Sequence, residues 1–116
     1  MESRFERQMK KGVLEMLVLS LLCRHPAHGY QLLGEIASQS QGFLQLKEGT
    51  LYPILYRLED DGLIQASWEA EGRSAPKKVY TPTDQGREEL ARQRQVWKEF
   101  CACVARFDQD EGGTRP

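Results

Sequence analysis

Residues on which most enzyme chemistry depends are scarce in this chain. Its 116 residues include two histidines, His25 and His28, and three cysteines, Cys23, Cys101 and Cys103. The histidines flank Pro26. There is no Ser/His/Asp context, no phosphate-binding glycine loop and no Cys/His cluster at zinc spacing. His28, directly before Gly29, reads as structural rather than catalytic. No catalytic residue, no metal and no cofactor is therefore expected. An odd number of cysteines cannot all pair, and Cys101 and Cys103 fall on opposite sides of any helix. All three read as reduced, mostly buried residues of a cytoplasmic protein. Long apolar runs are missing as well. Val13 to Cys23, broken by Glu15 and Ser20, is too short to cross a bilayer. The opening MESRFERQMKKG is charged and leads into no small-residue cleavage site, so no signal peptide and no membrane partner is expected. Positive charge is not in excess: the formal net charge is −1. That excludes a chain coated in positive charge, yet nucleic-acid binding depends on where charges sit. Internal repeats are absent.

What is present is a one-domain composition, 40% hydrophobic and 28% charged. The core such a length can bury is small, so oligomerisation is a natural supplement. A first helix is expected from about Met9 to Arg24. Val13, Leu14, Met16, Leu17, Val18, Leu19, Leu21 and Leu22 cover nearly its whole circumference, which implies burial on most sides. Pro26 stops it. A second helix, Gly29 to Ser40, has one apolar face of Leu32, Leu33, Ile36 and Ala37, with Gly42 ending it or opening the next loop. In KEGTLYPILYRLEDDGLI, Leu51, Ile54, Leu55 and Leu58 form one helical stripe. Pro53 places this helix's start near Thr50, or at Glu48 with a kink; Gly62 closes it. LIQASWE alternates as a strand, with Ile64, Ala66 and Trp68 on one side. AEGRSAP is a turn segment, and KKVYT, Lys77 to Thr81, is a second short strand. Thr83 is an N-cap for a last helix running to about Phe107.

Helix, helix, helix, strand, basic turn, strand, long helix describes a mainly α (α+β) chain. It is a winged helix-turn-helix with a two-stranded wing and a long C-terminal helix. In that arrangement the third helix buries its stripe and turns its other face toward a DNA major groove. At about 100° per residue, Pro53, Tyr56, Arg57 and Asp60 point away from the stripe, with Thr50 and Tyr52 flanking it. Thr50 can bond a base or a phosphate, and Arg57 can fork onto guanine or grip a phosphate. Tyr52 and Tyr56 offer a hydroxyl to phosphate and a ring edge to thymine methyls. Pro53 removes a bulky polar side chain where backbones approach. Against these stand plainer readings: Tyr52 and Tyr56 packed on neighbouring helices, and Arg57 merely solvated. Arg73, Lys77 and Lys78 make the wing basic, with Arg73 able to enter a narrow minor groove. Lys10 and Lys11 fit added phosphate contacts and a solvated helix start equally well. Glu59, Asp60 and Asp61 at the far end of the third helix, and the acidic tail, balance this basic edge.

On the last helix Leu90, Trp97 and Val104 are seven apart, as are Phe100 and Phe107. Heptad-like spacing on a lone helix calls for a partner helix. Trp97 reads first as dimer-core packing and second as a stacking platform for a flat ligand.

MKKGVLEMLVLSLLCRHPAHGYQLLGEI, EGTLYPILYRLEDDGLI and KKVYTPTDQGREEL together resemble the PadR family of bacterial transcriptional regulators, over roughly Met9 to Phe107. The resemblance implies a homodimer that usually represses nearby genes from inverted-repeat operators. Its C-terminal helix would pack across the dimer with the first helix, and in some members an aromatic compound releases the DNA. Carried over, the DNA-binding residues are Thr50, Tyr52, Pro53, Tyr56, Arg57, Arg73, Lys77 and Lys78. Two departures stand out. Lys47 replaces a small polar cap, leaving that helix less well capped or adding a phosphate contact, and Pro82 is expected to shorten the second strand. The expected organisation is a DNA-binding domain at 1–82, a dimerisation helix at 83–107 and a disordered acidic tail at 108–116. The expected partners are double-stranded DNA, a second copy and a small aromatic effector. The competing reading is a winged-helix module that binds protein and not DNA.

Overall fold

Ser3 and Glu6 open the first element with a capping box. The Ser3 hydroxyl accepts from the Glu6 N–H at 3.1 Å, and the Glu6 carboxylate accepts from the Ser3 N–H at 2.9 Å. These bonds also hold the Glu6 carboxyl below its ordinary range. Helix α1 (Arg4–Arg24) therefore begins five residues before the Met9 expected from its apolar pattern. Its backbone leaves helical geometry at Lys11 (φ −52°, ψ −131°), beside Gly12, so its first turns form an arm set off by a kink. The computed structural model describes residues 2–70, 72 and 75–108.

Beyond α1 come β1 (Ala27–His28), α2 (Gly29–Gln39), α3 (Glu48–Asp60), β2 (Ile64–Glu69), β3 (Lys77–Pro82) and α4 (Asp84–Phe107). The sheet is antiparallel in the order β1-β3-β2. β1, two residues long, was not expected; Ala27 faces Tyr80 and His28 faces Val79. His28 also caps α2, accepting from the Gln31 N–H. Pro82 does not shorten β3: it ends the strand opposite Ile64, where its missing N–H interrupts no further ladder.

The core lies between α1, α2 and α3, closed by the sheet. Val18, Leu19 and Leu22 of α1 meet Leu32 of α2, Leu51, Leu55 and Leu58 of α3, and Tyr80 of β3, all essentially without solvent exposure. The stripe expected for the third helix is thus buried. α3 starts at Glu48, the earlier of the two expected starts, with Lys47 at its N-cap giving no side-chain bond. Pro53 consequently falls inside the helix, and the Gly49 carbonyl loses its usual donor on the outward side. Gly62, at φ +76°, ends α3 in the left-handed region. Of the wing residues expected to alternate inward, Ile64 is buried but Trp68 is exposed, because β2 outruns the core.

α4 docks only its first half. The Thr83 hydroxyl donates to the Gly62 carbonyl at 2.7 Å, Gly86 packs on the Leu63 backbone, and Arg94 donates to the Ser20 hydroxyl at 2.7 Å. From Val96 onward the helix leaves the core. Cys101 is exposed and Cys23 and Cys103 are partly exposed, so the expectation that the cysteines are mostly buried is corrected.

Candidate nucleic-acid interface

The outward side of α3 forms a ridge between two clefts. Thr50, Pro53, Tyr56 and Arg57 are all exposed along it, with Tyr56 at 54%. Tyr52 turns partly inward, its hydroxyl against the α carbon of Gly29, where any Cβ would collide with it. Tyr52 thus packs α3 against α2 at Gly29, in keeping with the plainer of its two readings, while the rest of its ring lines the wing-side cleft. Its ring centroid lies 6.4 Å from that of Tyr56.

The cleft on the wing side, about 510 Å³, is lined by His28, Tyr30, Tyr52, Tyr56, Trp68, Lys77, Lys78 and Tyr80, with no carboxylate among them. Lys78 Nζ stands 6.0 Å from the Tyr56 ring centroid and 5.5 Å from that of Tyr80, and 3.7 Å from Glu59 Oε1. One cation thus joins β3 to α3. Burial raises the Tyr80 hydroxyl above its ordinary pKa, against the lowering effect of Lys78. Lys77 is exposed beside it. Arg73, the expected tip of the wing, lies outside the described residues.

The cleft on the α1 side, about 700 Å³, is lined by Arg7, Lys10, Lys11, Lys47 and Arg57, by Glu2 and Glu15, and by Thr50 between them. Arg57 Nε donates to Glu15 Oε2 at 2.8 Å, although its side chain remains 57% exposed. Lys10 pairs with Glu2 and stands 5.7 Å from the Phe43 ring centroid. Arg7 donates to the Glu2 carbonyl at 3.1 Å. Sequence patterns missed Glu15 and Arg7 in this cleft and Tyr30 in the wing-side one. Tyr30 had a signal, an aromatic on the polar side of an amphipathic helix. Glu15 had none, since its partner is 42 positions away.

A second candidate surface is apolar. Val96, Trp97, Phe100, Val104 and Phe107 are exposed along the free half of α4, and Trp97 and Phe100 stack obliquely at 6.4 Å. A cleft of about 490 Å³ between α1 and α4 is lined by Val13, Met16, Gln93, Val96, Trp97 and Phe100. Gln93 Oε1 there is buried without a hydrogen-bond partner among the described residues. Leu90, expected on this surface, is only 4% exposed. It belongs to the chain's own core, because its turn of α4 is the docked one. No group of metal-ligating side chains occurs among the described residues, and no described helix is long and apolar enough to cross a membrane.

Three core helices, an antiparallel β2–β3 wing and a third helix with an exposed outer side make this a winged-helix protein. Residues 18–92 match the transcriptional regulator PadR-like family, and the chain belongs to that family, one of regulators rather than enzymes. A PadR-like transcription factor from Bacteroides fragilis superposes with a TM-score of 0.74 at 31% identity, over 90% of this chain and 99% of that one. The negative transcriptional regulator PadR of Bacillus subtilis is 33% identical over 78 residues, 67% of this chain and 43% of that protein. The crystal structure of Bacillus subtilis PadR in complex with operator DNA superposes with a TM-score of 0.64 at 32% identity, over 70% of this chain and 46% of that one. The present chain thus spans less than half the length of the Bacillus subtilis regulator.

Proposed function

We propose that this chain is a sequence-specific DNA-binding repressor that acts in the cytoplasm as a homodimer on an inverted-repeat operator. One observation carries the reading: α3 exposes Thr50, Pro53, Tyr56 and Arg57 as a ridge, with lysines in the cleft on the wing side and lysines and arginines in the cleft on the α1 side. A duplex presents a groove wide enough for such a helix and a phosphate backbone on each flank. The operator complex of the Bacillus subtilis relative supports the same use of the fold. In this reading residues 1–82 bind DNA and 83–107 join two copies through Trp97, Phe100, Val104 and Phe107. The cleft between α1 and α4 takes a small aromatic effector that releases the operator.

Equilibrium titration of the protein on its own promoter and on random duplex, with footprinting at two salt concentrations, tests this. The expected result is a two-fold symmetric footprint whose affinity falls steeply with salt. Arg57→Ala should lose discrimination between promoter and random DNA, whereas Lys78→Ala should weaken both alike and reduce the salt slope by about one. A protein that protects no DNA at low salt would be a protein-binding module instead.

A further inference from the structure

The two clefts beside α3 are not equivalent in what their cations are already doing. In a major groove about 12 Å wide, a helix has one sugar-phosphate backbone on each side. The wing cleft, with Lys77, Lys78 and Tyr30, faces one of them. The other must run past the α1 side, from the first turn of α3 at Lys47 and Thr50 to the third at Arg57. There five cations face two carboxylates. Lys10 is taken up by Glu2 and Phe43, and Arg57 by Glu15. Lys11 and Lys47 have no carboxylate partner among the described residues and are exposed; Arg7 spends one donor on the Glu2 carbonyl. The kink at Lys11 sets off the arm that carries Arg7 and Lys10, and both line this cleft opposite Lys47.

From this we infer that the cleft between the N-terminal arm and α3 is the seat of the second DNA strand's backbone, with Lys11 and Lys47 as its main phosphate contacts and Arg7 as a third. The inference rests on the repressor reading. Lys47, which gives α3 no side-chain cap, is then at that position for the ligand: it lines the cleft at the N-terminal end of a helix whose orphan N–H groups also favour phosphate.

The test is the double variant Lys11→Ala/Lys47→Ala, titrated on the promoter and on random duplex of equal length across a salt series. Both affinities should fall by the same factor, and the slope of log affinity against log salt should become shallower by about 1.8, about 0.9 for each lysine. Lys11→Arg/Lys47→Arg should keep the parent slope, and an unchanged thermal midpoint shows that the alanine variant is folded. If the double variant binds with the parent's slope, or weakens on the promoter alone, the backbone seat is wrong while the repressor reading stands. A parent that binds no duplex removes both.

Discussion

Glu15 reaches across from α1 to hold Arg57, the one guanidinium on the outward ridge of α3. The Arg57 side chain is mostly exposed and that of Glu15 partly so, and solvent screening leaves the pair a small contribution to stability, about 0–1 kcal/mol. Its effect on binding is larger in kind than in size. Any phosphate or base that takes Arg57 must first compete with a carboxylate, and that carboxylate remains beside the duplex. Random DNA meets this cost without offering a matched base in return. Glu15→Gln should therefore raise affinity for random duplex by up to about fivefold, the equivalent of about 1 kcal/mol, and raise promoter affinity less. Equal or weaker binding to random duplex would mean that Glu15 orients Arg57 for DNA. Tyr52 teaches a related lesson. Its residue type suited a DNA contact, but its ring end packs against Gly29, in space that a side chain at that position would take.

At the scale of the element, the buried stripes were the most legible feature. Leu51, Ile54, Leu55 and Leu58 are buried as their spacing implied, because a helix that hides one face must repeat at its own period. Short elements and irregular ends were less so. β1 has two residues, too few to show any alternation, and exists because β3 offers it a ladder. The arm of α1 was signalled by the Ser3–Glu6 spacing of a capping box, yet its apolar pattern begins only later. Gly86 shows how docking overrules local preference in α4. Alanine there gains about 1 kcal/mol of helix propensity. Its Cβ, however, would collide with the backbone carbonyl of Leu63, which cannot swing aside as a flexible side chain would. Overpacking of this kind costs about 1–3 kcal/mol, and a fixed backbone puts it toward the upper end. Gly86→Ala should lower stability by about 1–2 kcal/mol net, read as a lower urea midpoint at unchanged slope. A midpoint at or above the parent's would show that α4 shifts freely on the core.

The whole molecule is long for its mass, 69 × 33 × 20 Å, with a radius of gyration of 17.3 Å. A compact chain of this length has about 13 Å. The free half of α4 extends from the core and carries five large apolar side chains into solvent. A surface of that kind marks an interaction site, and heptad spacing suits a second helix of the same kind. Trp97→Ala should raise the monomer–dimer dissociation constant by about thirtyfold, about 2 kcal/mol, measured by sedimentation equilibrium. A parent chain that stays monomeric at high concentration would refute the pairing of α4.

Periodicity and turn chemistry by themselves determined the helices, the wing and the outward face of α3, because each is a local rule repeated along the chain. They also determined that Tyr56 and Arg57 face outward. The tertiary structure alone decided which groups are already engaged: Arg57 with Glu15, Lys78 with Tyr56 and Glu59, Tyr52 with Gly29, and Leu90 with the core. These partners lie on different elements, and no local pattern encodes a contact that exists only once separate segments have packed together.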